Sequence, residues 1–230
     1  MRTWWVATLA LISFSCGGVG PERSGTDPEP VGSLPWTAQG NLWPLTPGSS
    51  WTYRITDPAD GPSSKEVSVQ GTTQVPGTSV SAISVVSVQP HIEERSWQTV
   101  AEGKVLRLRE EDRKAGEVVR VITWEPSLMM KALAEAKPAG WTETVTLVEN
   151  ERDETTGALI EKEKVYAWAV EALGESISTP AGTFSNAIRL LRTRPDKADW
   201  EPRTYWLVPG VGKVREEGER TEELVRYDVK

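Results

Sequence analysis

The chain contains twice the stretch that decides its fold: Thr179-Pro180-Ala181-Gly182-Thr183-Phe184-Ser185-Asn186-Ala187-Ile188-Arg189-Leu190, and a weaker earlier copy, Val75-Pro76-Gly77-Thr78-Ser79-Val80-Ser81-Ala82-Ile83-Ser84-Val85. Subtracting 77 from 182 gives an offset of 105, which also places Ala82 on Ala187 without a gap. Two later pairs of motifs follow in the same order, Arg95-Ser96-Trp97 with Arg203-Thr204-Tyr205 and Gly103-Lys104-Val105 with Gly212-Lys213-Val214. Repetition in a fixed order predicts two related β units in tandem.

Alternating residues predict short strands through the first unit. In Trp51-Thr52-Tyr53-Arg54-Ile55-Thr56, one face is apolar and the other is polar, which is typical of a half-buried strand. Turns with Pro or Gly separate five further runs rich in Val, Thr, Ile and Ser, at residues 65–74, 79–89, 92–100, 103–110 and 117–124. Runs of this length and spacing predict antiparallel meanders rather than βαβ units.

The second unit repeats this pattern. Residues 141–147 predict the counterpart of the Trp51 strand, and a long hairpin over 147–170 turns near Thr155-Thr156-Gly157. The repeated stretch follows, and then come a strand over 204–208 and a hairpin that turns at Gly218. Each unit is therefore expected to supply about six strands.

One helix, over residues 128–137, is predicted between the units. Pro126 stands near its start, Ala, Leu and Met fill it, and Pro138-Ala139-Gly140 stops it. The predicted fold is mainly β, a tandem pair of related antiparallel six-strand units that form a curved sheet or half-barrel with one short helix between them. The predicted domains are a lipoprotein-type signal peptide (1–16), a disordered Gly/Pro/acidic tether (17–40), β repeat 1 (41–126), the helix (127–138) and β repeat 2 (139–230).

The first sixteen residues predict a secretory leader. Arg2 precedes an apolar run over residues 4–14, which is far shorter than the ~20 residues of a membrane span. Cys16, the one cysteine of the chain, follows a small residue. This ending resembles the lipobox of bacterial lipoproteins, in which the cysteine becomes an N-terminus that carries acyl chains such as palmitate. Ser13 and Phe14 stand where that family usually has Leu and a small residue.

Two outcomes of export stay open. If Cys16 is lipidated, the protein is anchored to a membrane without spanning it. Gly17 then indicates the outer membrane, because in enteric lipoproteins an Asp at that place retains the protein in the inner membrane. If Ser13-x-Ser15 is an ordinary cleavage site, a soluble protein is released. The predicted location is the cell envelope, as an outer-membrane lipoprotein that faces the periplasm or the cell surface.

Charge and composition exclude several classes of function. Lys and Arg number 26 against 33 Asp and Glu, and the formal charge of −7 repels phosphate backbones, so no nucleic-acid partner is expected. Eleven Trp against two Phe supply large apolar surfaces with one N–H each, which suit a sheet core or a wet binding groove. A single cysteine prevents an intramolecular disulfide, and the single histidine, His91, offers little for a zinc site.

The sequence contains no convincing motif for catalysis or cofactor binding. Residues 210–213, Gly-Val-Gly-Lys, resemble a phosphate loop only in part, because Leu207 and Val214 stand where that loop needs Gly and Ser or Thr. His91 follows Pro90 at a turn, which indicates a surface histidine. We therefore predict no catalytic residue, no metal site and no cofactor.

Adjacent carboxylates recur along the predicted strands. Neighbours in a strand point to opposite faces, so the two members of a pair cannot share a proton. Two distant carboxylates can still meet in a groove, as glycosidases require. The adjacent pairs are Glu93-Glu94, Glu110-Glu111 and Glu216-Glu217.

Three motifs resemble those of a family of uncharacterised bacterial lipoproteins. They are Pro-Leu-x-x-Gly-x-x-Trp-x-Tyr at residues 44–53, Pro-Ala-Gly-Thr-Phe at 180–184, and Tyr-Trp-x-x-Pro-Gly-Val-Gly-Lys-Val at 205–214. The resemblance covers most of residues 41–225. It implies a curved antiparallel sheet that is distantly similar to the half-barrel of outer-membrane lipoprotein carriers, whose open sheet holds an acyl chain. It implies no activity.

Three hypotheses of function follow. The first is a non-enzymatic, lipid-anchored envelope protein whose β domain is an interaction or structural module, with the membrane at Cys16 and an envelope protein as partners. The second is a carrier or binder of an apolar or sugar ligand, held in a concave sheet face. The third is a hydrolase that uses paired carboxylates. The second hypothesis names four tryptophans as candidate ligand-lining residues, Trp51, Trp141, Trp168 and Trp206.

Overall fold

The computed structural model describes residues 40–126 and 128–230. Within them every regular element is a strand, and this part of the chain holds no helix with the length and hydropathy that crossing a membrane requires. The predicted leader, Cys16 and the tether up to residue 39 lie outside the described residues. The strands are β1 (Ser50–Asp57), β2 (Gly61–Gln74), β3 (Ser81–Gln89), β4 (Ile92–Ala101), β5 (Lys104–Lys114), β6 (Glu117–Glu125), β7 (Met129–Leu133), β8 (Thr142–Asp153), β9 (Leu159–Thr179), β10 (Gly182–Thr193), β11 (Arg203–Val208), β12 (Gly212–Glu217) and β13 (Thr221–Asp228).

All strands except β7 close into an antiparallel barrel of twelve strands. β1 to β6 form one meander and β8 to β13 form a second, and β6 pairs with β8 while β13 pairs with β1. Trp51 of β1, for example, lies opposite Val67 of β2 on one side and Tyr227 of β13 on the other. The prediction of a curved sheet or half-barrel is therefore wrong. Closure pairs the outer strands of both meanders, which an open sheet would leave with free edges.

The predicted helix over 128–137 is also wrong, because β7 lies there. β6 pairs with residues 109–114 of β5, and β7 pairs with residues 104–107 of the same strand. The helix propensity of Met, Ala and Leu is worth only tenths of a kcal/mol per residue. Strand pairing and burial on both faces outweigh that preference. The buried side chains of β7 are Met129, Met130, Ala132 and Leu133.

The predicted strand positions agree with the structure. The runs of the first unit coincide with β1 to β6, and the predicted turns at Gly157 and Gly218 separate β8 from β9 and β12 from β13. The Gly77 turn joins β2 to β3, and the turn before Gly182 joins β9 to β10, so each is the second hairpin of its meander. The descent of both meanders from one duplicated segment stays a prediction.

The repeated turn before Gly182 also makes a tertiary contact. The Ala181 N–H donates a hydrogen bond to the Leu224 carbonyl of β13, 3.0 Å away. The Phe184 ring lies 6.2 Å from the Tyr227 ring, centroid to centroid. β12 and β13 pair only through residues 215–216 and 222–223, so the β9–β10 hairpin contacts β13 just past that pairing. The turn therefore connects the β9–β10 hairpin to β13.

The first and third sequence motifs meet in space. The Trp51 indole N–H donates to the Val211 carbonyl at 2.6 Å, and the Tyr53 hydroxyl donates to the Lys213 carbonyl at 2.9 Å. A Cβ placed on Gly212 would lie only 3.3 Å from the proline ring that begins the first motif, so a larger side chain would separate the two segments. These motifs join the first strand of the chain to its C-terminal hairpin.

Side chains fill the barrel lumen in an apolar layer and a charged layer. In the apolar layer, the Trp168 and Tyr205 rings stack with centroids 5.9 Å apart, and Leu190 and Leu207 are fully buried beside them. Strand register places the charged residues beside one another, because Glu94 lies opposite Asp112 and Glu216 lies opposite Glu222. The charged layer is therefore a product of strand pairing.

Candidate functional site

The charged layer contains two ion-pair clusters. In the first, which we call the Glu222 cluster, Glu222 is 1% exposed and accepts hydrogen bonds from three cations. Lys213 lies 2.7 Å away, Arg220 2.7 Å and Lys65 3.2 Å. Lys213 also donates to the buried carboxylate of Glu216. One glutamate therefore joins residues of β2, β12 and the β12–β13 turn.

The second cluster, which we call the Arg107 cluster, gathers three carboxylates. The oxygens of Glu94, Glu110 and Asp112 lie within 4.8 Å of one another. Arg107 donates to Glu110 and, at 3.2 Å, to Glu94, while Arg120 donates to Asp112 at 2.7 Å. Carboxylates this close can bind a cation. Here two guanidinium groups already supply positive charge to them.

The adjacent glutamates of the sequence divide between lumen and outer face. One member of each pair joins a lumen cluster, and the other pairs with arginine side chains of its own strand. This division agrees with the prediction that the members of a pair cannot share a proton. The lumen members are Glu94, Glu110 and Glu216, and the outer members are Glu93, Glu111 and Glu217.

The electrostatics of these clusters favour ionised carboxylates. Burial alone would raise the pKa of Glu94, but the positive charges of Arg107, Lys131 and Lys65 outweigh it and lower that pKa to about 2. Burial likewise opposes the effect of Lys213 on Glu216, and the lysine lowers the pKa of Glu216 to about 2.

The same balance acts on Glu222, Lys213 and Asp112. Burial opposes ionisation of Glu222, but Lys213 and Lys65 outweigh it and hold the pKa of Glu222 well below its ordinary value. Burial would lower the pKa of Lys213, yet the two glutamates raise it. Asp112 is the exception, because burial outweighs Arg120 and raises its pKa.

These lowered pKa values predict acid destabilisation. Glu94, Glu216 and Glu222 have folded-state pKa values below the ordinary 4.5, so their stabilising effect is complete above pH ~5 and is lost as pH falls toward 2. Each unit by which folding lowers the pKa of a carboxyl group contributes about 1.4 kcal/mol to the free energy of unfolding at neutral pH. Asp112 acts in the opposite direction, but it is one group against three.

We expect urea unfolding, followed by tryptophan fluorescence, to show a falling free energy of unfolding between pH 5 and pH 3. Salt at 0.5 M should leave most of this fall, because buried pairs are screened weakly. A free energy of unfolding that stays constant over this range would contradict the assignment of ionised, paired carboxylates.

A cavity of about 50 Å³ lies between the two clusters. Its walls combine apolar side chains such as Leu45 and Val85 with polar ones. The polar side chains include Lys65, Glu94, Lys131, Lys213 and Ser87. At roughly 10–15 Å³ for each water on this measure, the space corresponds to a few water molecules.

Lys131 of β7 is the cation of this cavity that lacks a carboxylate partner. Its ammonium forms no ion pair or hydrogen bond with the residues that the structure describes. The nitrogen lies 5.8 Å from the centre of the Trp43 ring, and the Trp43 indole donates to Gln98 at 3.2 Å. The Ser87 hydroxyl is buried in the same wall and also lacks a hydrogen-bond partner within the described part of the chain.

The four candidate tryptophans are not brought together on one concave face. Trp51 lines the cavity and is 6% exposed, and Trp168 is 1% exposed in the apolar layer. Trp206 is partly buried and donates to Glu175 at 2.9 Å. Trp141 is partly buried beside the apolar layer. These residues belong to the packing of the barrel at different places.

His91 and residues 210–213, which the sequence analysis also singled out, lie at turns between strands. His91 is exposed on the turn between β3 and β4. Residues 210–213 cover the end of a turn and the start of β12, without the helix N-terminus that a phosphate loop requires. Cys16 lies outside the described residues, so its lipidation stays a prediction.

Sequence reasoning missed the lumen charges. Lys65, Lys131 and Lys213 occur in segments that also contain charges on the outer face, so their position in the lumen has no separate signature. For Glu222 a usable signal was the alternation of β13, since buried Leu224 stands two residues further along the same face. Lys131 was placed in a predicted helix, which concealed its neighbours.

Comparisons with known proteins find similar solved structures but no matching family. No family model and no curated protein matches the chain. Two solved structures are similar, a protein assigned as a lipoprotein from Parabacteroides distasonis, with 16% identity, and a protein assigned as exported, with a YmcC-like fold, from Bacteroides fragilis, with 13% identity. Each has a TM-score of 0.45 and covers 82% of this chain and 99% of its own. At this level of similarity we base no functional conclusion on them.

Proposed function

We propose that this chain is an exported, lipid-anchored protein of the cell envelope whose barrel is a non-enzymatic interaction or structural module. The filled lumen is the observation that supports the second half of this proposal, the non-enzymatic interaction or structural module. Apolar side chains and paired charges occupy it, and the cavity between them measures about 50 Å³. The first half rests on the leader and on Cys16 at its end.

The geometry gives little support to a carrier of acyl chains or sugars. Ligand pockets for such molecules are usually ~300–1,000 Å³ in volume. The sheet is closed, so it presents no open concave face of the kind that the half-barrel resemblance implied. Of the tryptophans proposed to line such a face, Trp168 lies in the packed core.

A carboxylate-dependent hydrolase is supported by one observation, the convergence of Glu94, Glu110 and Asp112. Two of these side chains are almost fully buried, since Glu110 is 6% exposed and Asp112 is 4% exposed. Arg107 bridges Glu94 and Glu110, where a substrate bond would have to lie. The cluster therefore suits a structural ion-pair network better than a reaction centre.

Lipidation at Cys16 predicts a complete change of fractionation in a Cys16→Ala variant. The variant should lose labelled palmitate and should no longer sediment with membranes, because a single side chain is the proposed attachment point. Separation of inner and outer membranes on a density gradient then tests the outer-membrane placement that Gly17 indicates. Ser13→Ala, which keeps Cys16, serves as the control. Membrane association equal to that of the parent protein would overturn the anchor.

The absence of a carrier function is tested separately on the soluble barrel without residues 1–16. We expect no saturable change of tryptophan fluorescence on titration with palmitate or with chitin and maltose oligosaccharides. A saturable response at micromolar ligand would show that the barrel opens, and it would replace the module by a carrier.

A further inference from the structure

We propose that the lumen cavity binds one small carboxylate anion, with the Lys131 ammonium as its counter-ion and the Ser87 hydroxyl as its hydrogen-bond donor. This site is additional to the proposed module function and does not depend on lipidation at Cys16. Both groups line the same cavity. Among residues 40–126 and 128–230, the buried Ser87 hydroxyl has no hydrogen-bond partner, and the partly buried Lys131 side chain has no ion pair. A carboxylate offers two oxygens, one for each of them.

Lys131 is the cation of this cavity that has no ion pair with the described residues. Lys65 and Lys213 also line the cavity, but Glu222 and Glu216 pair with them. Arg192 likewise has no ion pair in the described structure, but its guanidinium lies 5.3–5.6 Å from the centres of four aromatic rings. Such contacts compensate a buried cation in part. Lys131 has a single ring, Trp43, at 5.8 Å.

An unpaired ammonium in this position is costly without an anion. Burial and the nearby Arg107 lower the pKa of Lys131 well below its ordinary value. Glu94 also faces the cavity and would repel a second anion, but Arg107 holds its carboxylate at 3.2 Å. A bound anion would place a negative charge beside Lys131, as the carboxylate of Glu94 does beside Arg107. The attraction of an anion into the cavity therefore depends on the Lys131 ammonium.

Size and wall chemistry select the class of anion. About 50 Å³ has room for a few water molecules, and acetate has four non-hydrogen atoms. The apolar walls at Leu45, Val69 and Val85 suit a methyl or other short apolar end. A doubly charged phosphate would bring more charge than one unpaired ammonium neutralises, and it would face Glu94. A short monocarboxylate fits these conditions.

The test is acetate binding to the folded barrel at pH 7, measured by calorimetry and by thermal unfolding at constant ionic strength. Replacing 100 mM sodium chloride by sodium acetate should raise the Tm of the parent protein by ~2–6 °C through ligand linkage. The Lys131→Met variant should lose this rise and bind acetate at least tenfold more weakly. Ser87→Ala should weaken binding ~3–10-fold.

Lys162→Met is the matched control, because Lys162 is 52% exposed and only distantly paired. It should respond to acetate as the parent protein does. Lys131→Met should itself be at least as stable as the parent in chloride, because it removes a partly buried ammonium that has no carboxylate partner among the described residues. An acetate response equal in Lys131→Met and the parent, or no saturable binding by the parent up to 100 mM, would overturn the proposal. Lower stability of Lys131→Met in chloride, with binding unaffected in Ser87→Ala, would assign Lys131 a structural role instead.

Discussion

Replacing Glu222 by Gln is expected to lower the free energy of unfolding by about 3–5 kcal/mol. Glu222 is 1% exposed and accepts hydrogen bonds from Lys65, Lys213 and Arg220. Glutamine keeps the size of the side chain but removes the charge and turns an amide NH₂ toward cations. Lys65 would then have no carboxylate partner among the described residues. Urea unfolding followed by tryptophan fluorescence measures the loss.

Glu223→Gln is the matched control for this prediction. Glu223 is the next residue of the same strand, on the opposite face, and it pairs with Arg54 at 2.6 Å. The Arg54 side chain is 53% exposed, so this pair should contribute less than about 1 kcal/mol. A combined Lys65→Met and Glu222→Gln variant removes the stranded cation and should recover part of the stability. Equal losses in the Glu222 and Glu223 variants would show that the Glu222 cluster does not hold the barrel together.

Replacing Trp168 by Ala should cost about 3–5 kcal/mol, the range for truncating a large aromatic residue in a core. Trp168 is 1% exposed, stacks on Tyr205 at 5.9 Å and lies 5.3 Å from the Arg192 guanidinium. Its loss would leave a cavity in the apolar layer and remove one ring from Arg192. The melting temperature and the urea midpoint should both fall.

Trp206→Ala provides the comparison, because Trp206 lies on the next strand but one and was an equal candidate for a ligand-lining role. Its indole donates to Glu175 and its ring is partly exposed, so we expect a loss of about 1 kcal/mol. If Trp206→Ala destabilises the protein as much as Trp168→Ala, the division between core and outer tryptophans is wrong. If Trp168→Ala leaves stability unchanged, the placement of Trp168 in a packed apolar layer is wrong.

Strand positions were predictable because local signals and tertiary structure agree along most of the chain. Trp51, Tyr53 and Ile55 alternate with polar residues, and all three are buried in β1. Pro and Gly interrupt the runs at the hairpins, where the backbone must turn. Residues 128–137 are the exception, since local propensity there favours a helix and pairing with β5 favours a strand.

Closure was not predictable from the same signals. A curved open sheet and a closed barrel have the same hairpins and the same alternation of residues. One curved sheet needs the pairing of β6 with β8, and a closed barrel needs in addition the pairing of β13 with β1. This second pairing joins residues more than 160 positions apart, such as Thr56 and Thr221. The contacts of Trp51 with Val211 and of Tyr53 with Lys213 depend on that second pairing.

The sequence by itself determined the β class, the positions of the strands, the turn at each repeated motif and the placement of neighbouring glutamates on opposite faces, because these follow from backbone periodicity and turn chemistry within a few residues. Only the tertiary structure decided that the sheet closes, that β7 is a strand, and that Lys131 faces a cavity without a carboxylate. The physical reason is that a charge on an inward face is costly or favourable according to the charges on other strands. Register between distant segments, which no local pattern encodes, sets those neighbours.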